Sequence, residues 1–157
     1  MIKVLFVCTG NICRSPTAEG VFRDLVVREG LGDRVAADSA AVAGYHVGEP
    51  PDPRSVRAAA RRGVDISGQR ARRVTPEDFA EFDLILAMDR GHLRSLKAMA
   101  PAGAKAEVGM FLAYGAGLHH DEVPDPYYGE GRGFEDVLDM VETASQGLLE
   151  HIRTTRL

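Results

Sequence analysis

Two short stretches of the chain are almost continuously apolar, Ile2 to Val7 (IKVLFV) and Asp83 to Met88 (DLILAM). Such runs suit strands covered on both faces, as in a parallel sheet. Between them the period lengthens. From Pro16, the residues Ala18, Val21, Phe22, Leu25 and Val26 recur at helical spacing, and Gly30 and Gly32 follow as stop signals. Val35 to Ala40 is a weaker strand candidate. Arg54 to Arg62 reads as a helix entered through Pro53 and closed by Gly63. Arg90 to Met99 is expected to be helical up to Pro101, and Ala106 to Phe111 to form a short fourth strand. Gly115 to Gly133, rich in Gly and Pro, reads as loop. Phe134, Val137, Leu138, Val141, Ala144, Leu148 and Ile152 then mark one face of a long C-terminal helix. Strands alternating with helices predict a three-layer α/β sandwich around a four-stranded parallel sheet, joined by right-handed crossovers.

Composition narrows the class. The 157 residues suit one domain, with 45% hydrophobic and 27% charged residues, the balance of an ordinary globular protein rather than a disordered one. A formal net charge of −4 argues against bulk attraction to nucleic acid or to an anionic membrane. No apolar run has the length of a membrane span, and Ile2 to Val7 is too short for a signal peptide, so a cytoplasmic protein is expected. The two cysteines, Cys8 and Cys13, lie five positions apart. A secreted disulfide framework would spread its cysteines along the chain, so a paired-thiol site is the better reading. No repeat or linker divides the chain, which is expected to be one domain over residues 1–157.

The chemistry concentrates in the turn after the first strand, Cys8-Thr9-Gly10-Asn11-Ile12-Cys13-Arg14-Ser15-Pro16. Open parallel sheets bind ligands beyond the carboxyl ends of their strands, where this turn falls. Gly10 and Asn11 are residue types that tolerate left-handed backbone angles, as a tight loop with inward N–H groups requires. The helix start adds unpaired N–H groups and its positive dipole end. Arg14 contributes a planar fork that holds two phosphate oxygens at once. A cysteine at such an anion cradle is expected to be a thiolate. Facing a bound phosphate ester, it can displace the ester oxygen in line and form a cysteinyl-phosphate. Loop N–H groups and Arg14 would meet the equatorial oxygens of the transition state, and the Ser15 hydroxyl can donate to the sulfur. A buried structural cysteine with a surface arginine is the plainer alternative for each residue alone; the pair in this strand–turn–helix setting favours chemistry.

These residues, CTGNICRSP from Cys8 to Pro16, resemble the signature loop of the low-molecular-weight protein tyrosine phosphatases, and the likeness extends over nearly the whole chain. Asp38-Ser39, Val47-Gly48 and Asp52-Pro53-Arg54 are similar to that family's variable-loop region, Ala87-Met88-Asp89 to the end of its third strand, and Asp125-Pro126-Tyr127-Tyr128-Gly129 to its acid loop. The resemblance implies a phosphatase I-like, Rossmann-like sheet of order 2-1-3-4. It also implies metal-free and cofactor-free hydrolysis of phosphotyrosine proteins, most simply by a monomer. It places Asp125 as general acid, protonating the phenolate in the first step and deprotonating water in the second; without it, Asp-Pro would read as a turn starter. Tyr45, Tyr127 and Tyr128 would wall a slot for the phosphotyrosine ring, although packing on the core edge remains open for Tyr128. Asn11 and Ser39 match positions that hold the loop's left-handed turn. Cys13 matches a position able to form a reversible disulfide with the nucleophile, against the alternative of a small buried residue.

Some positions depart from the family pattern. Gln69 stands where many relatives carry a His in the supporting network, and Thr9 occupies the first variable loop position. Ile12 replaces the Thr typical of the phosphoarginine-directed branch, and an apolar side chain better suits an aryl ring. His119-His120-Asp121-Glu122 has metal-binding residue types without ligand spacing and reads as a solvated loop. The basic stretch including Arg54, Arg57, Arg70 and Arg73 reads mostly as a solvated face. Two rivals stand beside the phosphatase: a thiol-dependent arsenate reductase and a non-catalytic phosphotyrosine-binding module. The first lacks the further cysteines of its usual relay, since none follows Cys13. The second would be signalled by loss of Cys8, Arg14 or Asp125, and all three are present.

Overall fold

The computed structural model describes residues 1–127 and 132–157. Strand β1 (Ile2–Cys8) runs into helix α1 (Arg14–Arg28), then β2 (Val35–Ala41), α2 (Pro53–Ala60) and a short α3 (Asp78–Glu81). Next come β3 (Leu84–Ala87), α4 (Arg90–Met99), β4 (Glu107–Met110), a 3₁₀ turn (Phe111–Tyr114) and α5 (Arg132–Thr155). The strands form one parallel sheet in the order β2-β1-β3-β4. Because β1 is flanked by β2 on one side and β3 on the other, the chain reverses its direction of travel across the sheet there. The carboxyl end of β1 therefore opens into the crevice where such sheets bind ligands.

The alternation hidden inside the continuous apolar runs divides the core in two. Val4, Phe6, Leu84 and Leu86 face α1 and α5, with the Phe6 ring edge-on to Phe22 at 5.6 Å and to Phe111 at 5.0 Å. Leu5, Val7, Ile85 and Ala87 face the other way, toward Phe79 and Leu96. Strands β1 and β3 are thus anchored on both faces, which fixes their register and holds Cys8 at a defined height above the sheet. Helix α5 lies so close to the 3₁₀ turn that a Cβ on Gly147 would fall 1.8 Å from the Tyr114 carbonyl oxygen. Only glycine fits that crossing.

The predicted elements are present, with shifted ends. Helix α1 begins at Arg14, so Arg14 and Ser15 are helical and Pro16 sits in the first turn, where its missing N–H costs nothing. Helix α2 stops at Ala60 and the chain turns through Gly63 at φ 80°. Gly133, expected in a loop, lies inside α5. The α3 turn and the 3₁₀ turn carry too few residues to show a period and were not anticipated.

Candidate active site

Cys8 ends β1 at the bottom of the crevice, 3% exposed. Its Sγ lies 2.9 Å from Ser15 Oγ and 3.4 Å from the Ser15 amide, which donates to it. The Ser15 hydroxyl oxygen already accepts from Asn11 Nδ2 at 2.8 Å, so its own proton is free to point at the sulfur. Asn11 is the one non-glycine residue with a positive φ among those described, at 58°. An asparagine tolerates this conformation because its side chain bonds locally. Here that side chain donates also to Ser39 Oγ at 2.9 Å and accepts from the Arg72 amide at 3.1 Å. Ser39 passes the network on, donating to Glu19 Oε1 at 2.7 Å. Burial raises the Glu19 carboxyl pKa, and the Ser39 hydrogen bond and the Arg23 guanidinium oppose it. Arg23 sits 2.5 Å away.

Arg14 is 4% exposed, with its guanidinium spread among four groups. Nη1 donates to Asp89 Oδ2 at 2.9 Å and to the Val123 carbonyl at 3.1 Å. Nη2 donates to Thr9 Oγ1 at 3.4 Å and faces Asp125 Oδ2 at 3.6 Å. Asp89 also caps α4, accepting from the His92 amide at 2.9 Å. Burial alone would raise the Asp89 pKa; the His92 amide and the Arg14 guanidinium outweigh it and hold the carboxyl below the usual range. Arg14 is therefore fixed from behind by an ionised carboxylate.

The crevice is lined by Cys8, Thr9, Gly10, Ile12, Cys13, Arg14, Tyr45, His46, Asp125 and Tyr127. Tyr45 is 79% exposed and Tyr127 38%, so a buried floor rises to an aromatic rim. Tyr128 lies outside the described residues. Asp125 accepts from the Tyr127 amide at 3.0 Å in a local turn. Arg54 ties this segment back: it donates to the Tyr127 carbonyl at 3.1 Å, and its guanidinium lies over the Tyr127 and Phe134 rings at 5.4 and 4.8 Å. Arg54 also pairs with Asp52 at 2.9 Å, and the Asp52 amide donates to the Ile12 carbonyl at 2.8 Å. One chain of contacts thus runs from the cysteine loop to the carboxyl on the rim. Cys13 carries a free thiol, 5% exposed. Burial, then the Asp52 carboxylate, push its pKa up to about 12.

Buried floor, inward arginine and rim carboxyl can together hold a tetrahedral anion against a sulfur and deliver a proton from the open side. The model for the low molecular weight phosphotyrosine protein phosphatase family matches residues 3–156. The chain belongs to that family. A low molecular weight protein-tyrosine-phosphatase of Streptomyces coelicolor is 47% identical over 96% of this chain and 93% of its own length. A putative one of Synechocystis is 48% identical over 94% of each. The crystal structure of a protein tyrosine phosphatase from Entamoeba histolytica with Hepes in its active site superposes with a TM-score of 0.95, at 35% identity and full coverage of both chains. The four-stranded order read from the resemblance is that of the observed sheet.

Within this family frame, some details differ from the sequence reading. Gly10 has no positive φ; it is small because a Cβ there would meet the His46 ring at 2.8 Å. Gln69 does not join the Asn11–Ser15–Ser39 set. It donates to the Pro16 carbonyl at 3.1 Å and leaves its Oε1 buried without a partner, while Glu19 takes the supporting place. The sequence pattern assigns no role to His46 or His92, and places Asp89 only at the end of the third strand. Glu19 had a signal, a carboxylate on the buried face of α1; the others had none that spacing reveals. The carboxylates in His119-His120-Asp121-Glu122 are engaged elsewhere, Asp121 and Glu122 both pairing with Arg90. Among the described residues no helix is long and apolar enough to cross a membrane.

Proposed function

We propose that the protein hydrolyses phosphotyrosine in protein substrates, and small aryl phosphates, through a phosphocysteine on Cys8. The Cys8 sulfur attacks phosphorus as the ester P–O bond breaks, and the Asp125 carboxyl gives its proton to the departing phenolate oxygen. Arg14 and the loop amides from Thr9 to Ser15 hold the three equatorial oxygens. Water then attacks phosphorus and loses a proton to the Asp125 carboxylate. The S–P bond breaks, releasing inorganic phosphate and returning the Cys8 thiolate, which the Ser15 hydroxyl stabilises. The observation that carries this reading is the convergence on one floor of Cys8, Ser15 and Arg14, with Asp125 Oδ2 3.6 Å from the guanidinium.

Depth supports an aryl substrate. The sulfur is nearly buried while the rim tyrosines are exposed, so a long flat side chain reaches the floor and a short one meets the rim first. Ile12, lining the crevice, gives the ring an apolar neighbour. Tyr45 and Tyr127 would flank the ring; Tyr128 follows on the family resemblance alone. Cys13 is the candidate redox partner of Cys8, though its raised pKa keeps it a thiol at neutral pH. All of these groups come from one chain, so a monomer suffices, and a reducing cytoplasm suits a catalytic thiol.

The test is hydrolysis of p-nitrophenyl phosphate and a phosphotyrosine peptide by wild type and Cys8→Ser, with EDTA present. Turnover that survives chelation and disappears in Cys8→Ser is expected. Inactive reduced wild type would contradict the proposal and favour a binding module, or an arsenate reductase if arsenate and an added thiol then restore turnover.

A further inference from the structure

Behind Arg14 lies a buried histidine that the reaction above does not use. His92, in the first turn of α4, is 4% exposed, and its Nε2 is 2.8 Å from Thr9 Oγ1. On its other side, Nδ1 lies 3.2 Å from Asp89 Oδ1. Thr9 and Asp89 each contact Arg14, so four side chains close a ring: Arg14, Thr9, His92 and Asp89. The donors set the direction around it. An arginine only donates, so Thr9 Oγ1 accepts from Nη2, and the Asp89 carboxylate 3.2 Å from Nδ1 favours the tautomer protonated there, leaving Nε2 to accept the Thr9 proton. With Nε2 accepting, the ring proton sits on Nδ1 and faces the Asp89 carboxylate. That contact is electrostatic, since Nδ1 makes no aligned hydrogen bond. Burial, then the Arg14 charge, hold the imidazole neutral, with a pKa of about 4, against the pull of Asp89, Asp125 and Glu122.

The two neighbours of Nη2 differ in kind. Asp125 is a carboxylate already paired loosely with Nη2 at 3.6 Å; closing to hydrogen-bond distance, it would occupy the clamp and suppress the acid together. Thr9 is a neutral hydroxyl that an incoming anion displaces readily. We infer that Thr9 and His92 are positioning residues for phosphate capture, His92 fixing the Thr9 hydroxyl and the hydroxyl keeping the second arm of the Arg14 fork from closing fully onto Asp125. The inference rests on Arg14 being the phosphate clamp. It also gives the first variable loop position a purpose, since the Thr9 hydroxyl meets a partner across the crevice.

The experiment measures inhibition by inorganic phosphate, with kcat and KM on p-nitrophenyl phosphate, for Thr9→Val, Thr9→Ser, His92→Phe and the Thr9→Val/His92→Phe double variant. Thr9 is exposed, so Thr9→Val keeps the fold and removes only the hydroxyl. The expected result is a phosphate Ki raised about five- to tenfold in Thr9→Val, as Asp125 competes more strongly for the freed Nη2. KM should rise more than kcat falls. Thr9→Ser should stay within about twofold of wild type, and the double variant should be no worse than the poorer single one. An unchanged Ki in Thr9→Val, or additive effects in the double variant, would overturn the inference. Arg14→Lys separates the two layers: if it leaves phosphate inhibition intact, the clamp reading itself fails.

Discussion

Asn11 and Ser15, on the floor of the crevice, end on buried partners, whereas Asp125 and Tyr127, on its rim, stand partly in solvent and are tied back by Arg54. The contrast follows the chemistry. Negative charge on the phosphoryl oxygens must be met by donors already in place, because reorienting them during the reaction would return part of the barrier. The left-handed Asn11 and its links to Ser15, Ser39 and Arg72 give that rigidity. The acid has the opposite requirement. In the proposed cycle Asp125 releases and takes up a proton at the open side of the crevice, so exposure and lighter fastening are tolerable there. Floor substitutions should therefore damage rate and stability together, and rim substitutions rate or affinity alone.

The largest separation is expected at Asp125. Asp125→Asn should lower kcat by about 10²–10³ on poor leaving groups and much less on good ones, with no change in melting temperature. A series of substituted phenyl phosphates measures this, and an equal loss across the series would move the acid elsewhere. Asn11→Ala is the floor counterpart. It leaves a left-handed alanine and removes the Nδ2 donor that both the Ser15 and Ser39 hydroxyls accept from. A loss of about 2–4 kcal/mol in urea unfolding should accompany a ten- to hundredfold fall in kcat. Wild-type stability with impaired rate would erase the distinction drawn between floor and rim.

His92 gives the buried side of the site a pH dependence in stability. Its pKa falls from 6.5 to about 4 on folding, so it contributes stability in full above pH 6.5 and loses it as pH falls through 4. Urea midpoints between pH 7 and 4 should decline by an amount worth up to roughly 3 kcal/mol from this group, and His92→Gln should flatten that limb. Identical acid limbs in the two proteins would place the linkage in other groups. The smallest effect is expected at Tyr45→Ala, since the ring is 79% exposed and its proposed role is to flank the aryl group. KM for a phosphotyrosine peptide should rise about three- to fivefold with melting temperature unchanged; a fall in melting temperature would make Tyr45 structural.

Strand positions were legible in the sequence because a strand covered on both faces writes itself as a continuous apolar run, as at Ile2 to Val7 and Asp83 to Met88. The range predicted for α4, Arg90 to Met99, is the observed helix, since Asp89 before it accepts from the His92 amide as a side-chain cap. The loop from Cys8 to Ser15 was legible because its parts are local. What surrounds it was not. Asp89 meets Arg14 across 75 positions and His92 meets Thr9 across 83, and no period or spacing links residues so far apart. Gly10 was read as a conformational glycine when its smallness makes room for His46, a distinction that only the packing of a distant loop decides.

The most direct test of the account is to quench the enzyme during turnover of a good aryl phosphate and locate the phosphoryl group by mass spectrometry of its peptides. The account predicts one phosphoryl group on Cys8 and none on Cys13. The adduct should accumulate in Asp125→Asn, where the second step loses its base, and be absent in Cys8→Ser. Turnover by Cys8→Ser, or a phosphoryl group on any other residue, would contradict it.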